Sequence, residues 1–97
     1  MKFEWDEEKN KENIRKHGLD FADAWQIFDA PMLTVVDTKE DYGEDRFIGL
    51  GFLKNFVVVM VYTEPQEETT RIISLRKALK HERARFEEAL RNQLGEG

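Results

Sequence analysis

The run from Phe56 to Tyr62, FVVVMVY, has no polar residue before its terminal tyrosine hydroxyl, on either of its alternating faces. Strand side chains alternate between the two sides of a sheet, so such a run belongs at the centre, with helices covering one side at least. Any fold for this chain has to be built around that strand.

Its neighbours lie close in sequence. Met32 to Val36, Arg46 to Leu53 and Thr70 to Arg76 are rich in β-branched and aromatic residues, and turn-forming stretches such as Asp-Tyr-Gly-Glu-Asp and Lys-Asn separate them. Short turns favour a four-stranded antiparallel meander. Gly49 and Gly51 fall on one face of the second of these strands, leaving room for a packed ring or a ligand to come close.

Before Pro31 the period is helical. Asp6 is placed to cap a helix over residues 7–17, with Glu7 and Glu8 in its first turn and Gly18 as its stop. Only Ile14 is apolar inside it, so Trp5 and Leu19 are expected to anchor it. Asp20 caps a second helix whose Phe21, Ala24, Trp25 and Phe28 make one apolar stripe. A last helix runs from about Leu79 to Leu94, and its stripe is interrupted at Glu82 and Arg83. The expected fold is α+β: two N-terminal helices, a four-stranded antiparallel sheet and a C-terminal helix. It forms one domain over residues 1–94, with 95–97 a frayed tail.

Ninety-seven residues without a cysteine leave no disulfide, thiolate metal site or cysteine nucleophile. The acidic start MKFEWDEEKNKEN does not look like a secretory signal, and the apolar run is too short to span a bilayer, so a cytoplasmic protein is expected. The net charge of −5 argues against nucleic acid only until it is divided along the chain. Residues 1–45 hold 6 Lys/Arg against 13 Asp/Glu, net −7, and residues 46–97 hold 9 against 7, net +2. Residues 71–85 alone hold six basic residues and one acid, net +5. That segment is the candidate working surface, and the acidic remainder could receive a basic partner.

Standard phosphate loops, zinc helices and nucleophile elbows are missing, which leaves the basic segment to carry chemistry. Lys77, Lys80 and His81 share a helical face if the helix starts that early, beside Arg76 at the strand end. Arginine forks onto phosphate oxygens, lysine supplies a mobile charge, and His81 adds an imidazole able to act as general acid or base. The competing reading is an ordinary solvated face. Glu82 and Arg83 are either a structural ion pair, with Arg71 or Arg76 as a third member, or a transition-state stabiliser held by its acid. Strict alternation sends Arg71 and Arg76 to opposite faces. His17 fits a helix C-terminal cap, and Tyr62 a half-buried strand position.

Four stretches in order, FEWDEEKNKEN at Phe3 to Asn13, KHGLDF at Lys16 to Phe21, RFIGLG at Arg46 to Gly51 and RIISLRKALKHER at Arg71 to Arg83, resemble the BrnT-type toxins of BrnT/BrnA toxin–antitoxin pairs. The resemblance implies a RelE-like fold and RNA cleavage without metal or cofactor, blocking translation until a BrnA-like ribbon-helix-helix antitoxin binds. It also implies that the complex reaches operator DNA through the antitoxin. Arg71, Arg76, Lys77, His81, Glu82 and Arg83 become catalytic candidates; Arg46, Tyr62, Lys80, Lys16 and His17 become candidates for holding RNA. The sequence departs from the family pattern at Phe86, where tyrosine is common, and Leu75, where a small residue is common. A non-catalytic module that docks an antitoxin and supports its grip on DNA is the alternative.

Overall fold

The computed structural model describes residues 1–37 and 43–95, and the expected turn around Asp41 and Tyr42 falls outside them. The elements are β1 (Lys2–Trp5), α1 (Glu7–His17), a 3₁₀ turn (Phe21–Asp23), α2 (Trp25–Phe28), β2 (Leu33–Asp37), β3 (Arg46–Leu53), β4 (Phe56–Gln66), β5 (Thr69–Lys77) and α3 (Lys80–Gly95). No described helix is long and apolar enough to cross a membrane. The sheet order is β1-β5-β4-β3-β2, which puts β4, the strand that carries the apolar run Phe56 to Tyr62, in the middle as its composition requires.

The sheet has five strands and is mixed, where four antiparallel strands were expected. The extra strand is β1, parallel to β5 with Phe3 opposite Thr70 and Trp5 opposite Ile72. Its four residues alternate, Phe3 and Trp5 packing on the core while Glu4 turns away, but the flanking acids mask so short a signal.

Two cores lie on opposite faces of the sheet. Leu19, Phe21, Ala24 and Ile27 pack over Val58, Met60, Tyr62, Ile72 and Leu75 on the first face. On the second, Phe86 of α3 covers Leu50, Val57 and Val59. The predicted second helix is split into a 3₁₀ turn and a single α turn. Three residues per turn put Phe21, Ala24 and Ile27 in line, so Ile27 is buried and Trp25, placed in the apolar stripe by the α-helical period, is 49% exposed. Gly51 makes room for Ile27, whose Cγ2 would lie 2.6 Å from an added Cβ, and Gly49 makes room for Met32. The close approach at these glycines is side-chain packing, with the Tyr62 ring also 3.4 Å from a Cβ added at Gly49.

Helix α1 has the predicted bounds and caps, with Asp6 accepting from the Glu8 and Lys9 N–H groups and Gly18 at φ +69°. Its attachment to the sheet is polar. Ile14 is exposed, while Asn10 and Asn13 are buried. Asn13 Nδ2 donates to the Leu19 and Leu75 carbonyls, and its Oδ1 accepts from the Leu75 N–H at 3.1 Å. Strand β1 stops opposite Ile72, and the Asn13 amide takes over the exposed edge of β5 beyond it, satisfying groups that burial would otherwise orphan. Asn10 bridges the Asp20 carboxylate and the Phe21 N–H.

Candidate functional site

The basic segment straddles the end of β5 and the start of α3. The ladder of β5 runs through Lys77, and the Ala78 N–H still donates to Val57 O, so α3 begins at Lys80. Lys77 therefore stands at a strand end and not on a helical face with Lys80 and His81. Both of those are exposed on the first turn of α3.

Glu82 ties strand to helix. Its two oxygens accept from Arg76 Nη1 and Nη2 at 2.8 and 2.9 Å, and Oε1 also accepts from the Leu79 N–H at 2.8 Å. The latter contact is half of a capping box, formed where Leu79 has no side-chain oxygen to cap the helix itself. The Arg76 fork, assisted by the Leu79 N–H, brings the Glu82 carboxyl down to about 2, so it is ionised at neutral pH. Glu82 thus pairs with Arg76 rather than with Arg83.

Beside this clasp opens a cleft of about 450 Å³ lined by Phe52, Asn55, Phe56, Lys77, Arg83 and Glu87 among others. Arg83 is exposed and has no carboxylate partner among the described residues; neither has Lys77, whose Nζ sits 4.1 Å from the centroid of the Phe56 ring. Two cations thus share one cleft with a single carboxylate, Glu87, and neither forms an ion pair among the described residues, while Arg76, next to them, is matched and fixed.

Arg71 and Arg46 form a second group at the other end of the same sheet face. A bulge at Ile73, where Val61 pairs with Ser74 but Tyr62 with Ile72, resets the alternation of β5. Ile72 and Leu75 consequently both enter the first core, which turns Arg71 and Arg76 to the same face. Arg71 is held by Glu4 at 2.6 Å and belongs to a row Asp37-Arg46-Thr63-Arg71-Glu4 that crosses all five strands. Five residues of strand put it roughly 16 Å from Arg76.

Three candidates lie elsewhere. Tyr62 is buried in the first core, stacked on Phe47 with its hydroxyl hydrogen-bonded to Thr34, and burial pushes its phenol up. Lys16 and His17 are exposed at the end of α1, on the opposite side of the sheet from α3, with Lys16 3.8 Å from Glu12. The sequence reading overlooked Phe52 and Phe56. Their signal is two phenylalanines flanking the solvent-facing turn Lys54-Asn55, where alternation alone gives no reason for a ring.

The family model for the ribonuclease toxin BrnT of type II toxin–antitoxin systems matches residues 5–82. This chain belongs to the BrnT family. The crystal structure of the Brucella abortus ribonuclease toxin BrnT is similar over 82% of this chain and 99% of that one, with 32% identity and a TM-score of 0.65. No curated protein gives a significant sequence match. The BrnT match spans the Arg76–Glu82 clasp and stops one residue short of Arg83. Membership brings the ribonuclease-toxin class and implies an antitoxin partner. Leu75 and Phe86, which the sequence reading singled out as expected departures from the family, are fully buried, one in each core.

Proposed function

We propose that this chain is a metal-independent endoribonuclease that blocks translation by cutting single-stranded RNA in the cleft between the end of β5 and α3. The observation that carries the proposal is the pair of cations without an ion-pair partner among the described residues, Lys77 and Arg83, in a cleft whose neighbouring Arg76 is immobilised by Glu82. RNA supplies its own nucleophile, the 2′-hydroxyl, which attacks the adjacent phosphorus. The protein's tasks are then to hold the phosphate in line, neutralise the phosphorane and move protons to and from the two oxygens. Arg83 and Lys77 serve the charge. Glu82, committed to Arg76 and the Leu79 N–H, positions the start of α3, which leaves Lys77 as the proton carrier among the cleft's lining residues, His81 standing outside that lining.

The antitoxin partner is proposed to be a BrnA-like ribbon-helix-helix protein that neutralises the enzyme and brings the complex to operator DNA. The acidic first half of the chain, net −7 over residues 1–45, from 6 Lys/Arg and 13 Asp/Glu, suits a basic partner. The decisive assay is incubation of purified protein with a single-stranded RNA and its all-deoxy counterpart, both in excess EDTA. The RNA is expected to be cut and the DNA left intact. Equal cutting of both strands, or cutting only when a metal is returned, would overturn this mechanism.

A further inference from the structure

The cleft has an aromatic rim that charge neutralisation does not require. Of the seven phenylalanines, five are buried or half-buried, and Phe52 and Phe56 are 40% and 41% exposed. Both line the cleft that holds Lys77 and Arg83. Leaving a phenylalanine half in water forgoes part of the stabilisation that full burial contributes. Phe52 reaches the cleft from the face of Val57 and Phe56 from the face of Leu53, and two half-exposed rings bordering one cleft point to a ligand surface. Each is also held in place. Phe52 rests in a T-shaped contact, 5.1 Å and 71°, on the fully buried Phe86, and Phe56 carries the Lys77 ammonium over its ring.

We propose that one nucleobase of the RNA stacks on the aromatic rim that Phe56, with Phe52 across the hairpin, gives the cleft, beside the phosphate held by Lys77 and Arg83. This inference rests on the ribonuclease reading above and adds to it the groove's second recognition element. Unpaired RNA bases are free to leave their own stack and lie on aromatic rings, and the adjacent cations take the charge of the same nucleotide. The cleft of about 450 Å³ falls within the size range of small-ligand pockets, roughly 300–1,000 Å³. Rings without hydrogen-bonding groups accept any base, so the rim grips without selecting sequence. Because stacking is as strong before the phosphorane forms as during it, its loss raises KM and leaves kcat in place.

The test uses single-stranded 2′-O-methyl RNA oligomers, which lack the attacking hydroxyl, with 2-aminopurine moved through each position. The intact protein is expected to bind them and to quench the fluorophore at one position. Phe56→Ala is expected to weaken binding about tenfold, the loss of one stacked base, and to abolish the quench. Phe56→Tyr keeps both. On cleavable RNA, Phe56→Ala raises KM by a similar factor, and Phe56→Tyr, which keeps a ring under Lys77, does not. Phe52→Ala is read in the same assay alongside its unfolding curve, since that ring touches the buried Phe86. Unchanged affinity and quench in Phe56→Ala would refute the stacking rim while leaving the ribonuclease reading intact. So would a variant that keeps RNA affinity but no longer binds the cognate antitoxin, since the rings would then be a protein dock. If the intact protein binds no RNA at all, both readings fall together.

Discussion

Two polar attachments join helices to this sheet, and they differ in what they leave over. At α1, Asn13 spends three hydrogen bonds on buried backbone, and Asn10 one on the Phe21 N–H and one on the part-buried Asp20 carboxylate, so the polar atoms of both amides named there are matched. At α3, the Arg76–Glu82 clasp is likewise matched, but Lys77 and Arg83 beside it remain exposed and lack carboxylate partners among the described residues. Matched polar groups hold a fold together; unmatched cations gathered in one cleft are available to a substrate. The charge of a segment does not distinguish these cases, because only pairing and burial do.

That contrast can be broken in three places, from the largest effect to the smallest. Asn13→Ala removes three hydrogen bonds and orphans the buried Leu75 N–H and carbonyl, with a cost of about 3 kcal/mol or more in urea unfolding. A loss below about 1 kcal/mol would show that α1 is held some other way. Glu82→Gln keeps the shape of the clasp and removes its charge. The Glu82 carboxyl is lowered from 4.5 to about 2 in the folded chain, so its contribution is complete above about pH 4.5 and disappears as the pH falls toward 2. The difference between wild type and Glu82→Gln is therefore expected to be about 1 kcal/mol at pH 7, given that Arg76 is 38% exposed and screened, and to vanish near pH 2. Unfolding curves across that range check it, and a difference independent of pH would contradict it. Lys16→Ala removes one exposed cation across the sheet from the cleft, and both stability and RNA cleavage should stay within about 0.5 kcal/mol and twofold.

Much of this architecture is legible in local sequence. Asp6 and Gly18 mark the ends of α1, the FVVVMVY run marks the central strand, and the net +5 of residues 71–85 marks the segment that borders the cleft. What escapes local reading depends on partners far along the chain. Lys2–Trp5 becomes a strand only because β5, more than sixty residues later, offers its edge. Asn13 reads as a solvated helix residue until Leu75 is placed against it. The bulge at Ile73 is a decision of the β4/β5 pair, and it alone moves Arg71 to the face of Arg76. The start of α3 is set by Val57 extending the β5 ladder to Ala78, which separates Lys77 from the helical face it was expected to share.

On the reading proposed above, Lys77 and Arg83 serve catalysis and not folding. Arg83→Ala separates the two, by single-turnover cleavage of single-stranded RNA with urea unfolding measured on the same preparation. The expected result is cleavage slowed about a hundredfold with unfolding free energy unchanged to within about 0.5 kcal/mol. Undiminished cleavage by a folded Arg83→Ala protein would contradict the claim.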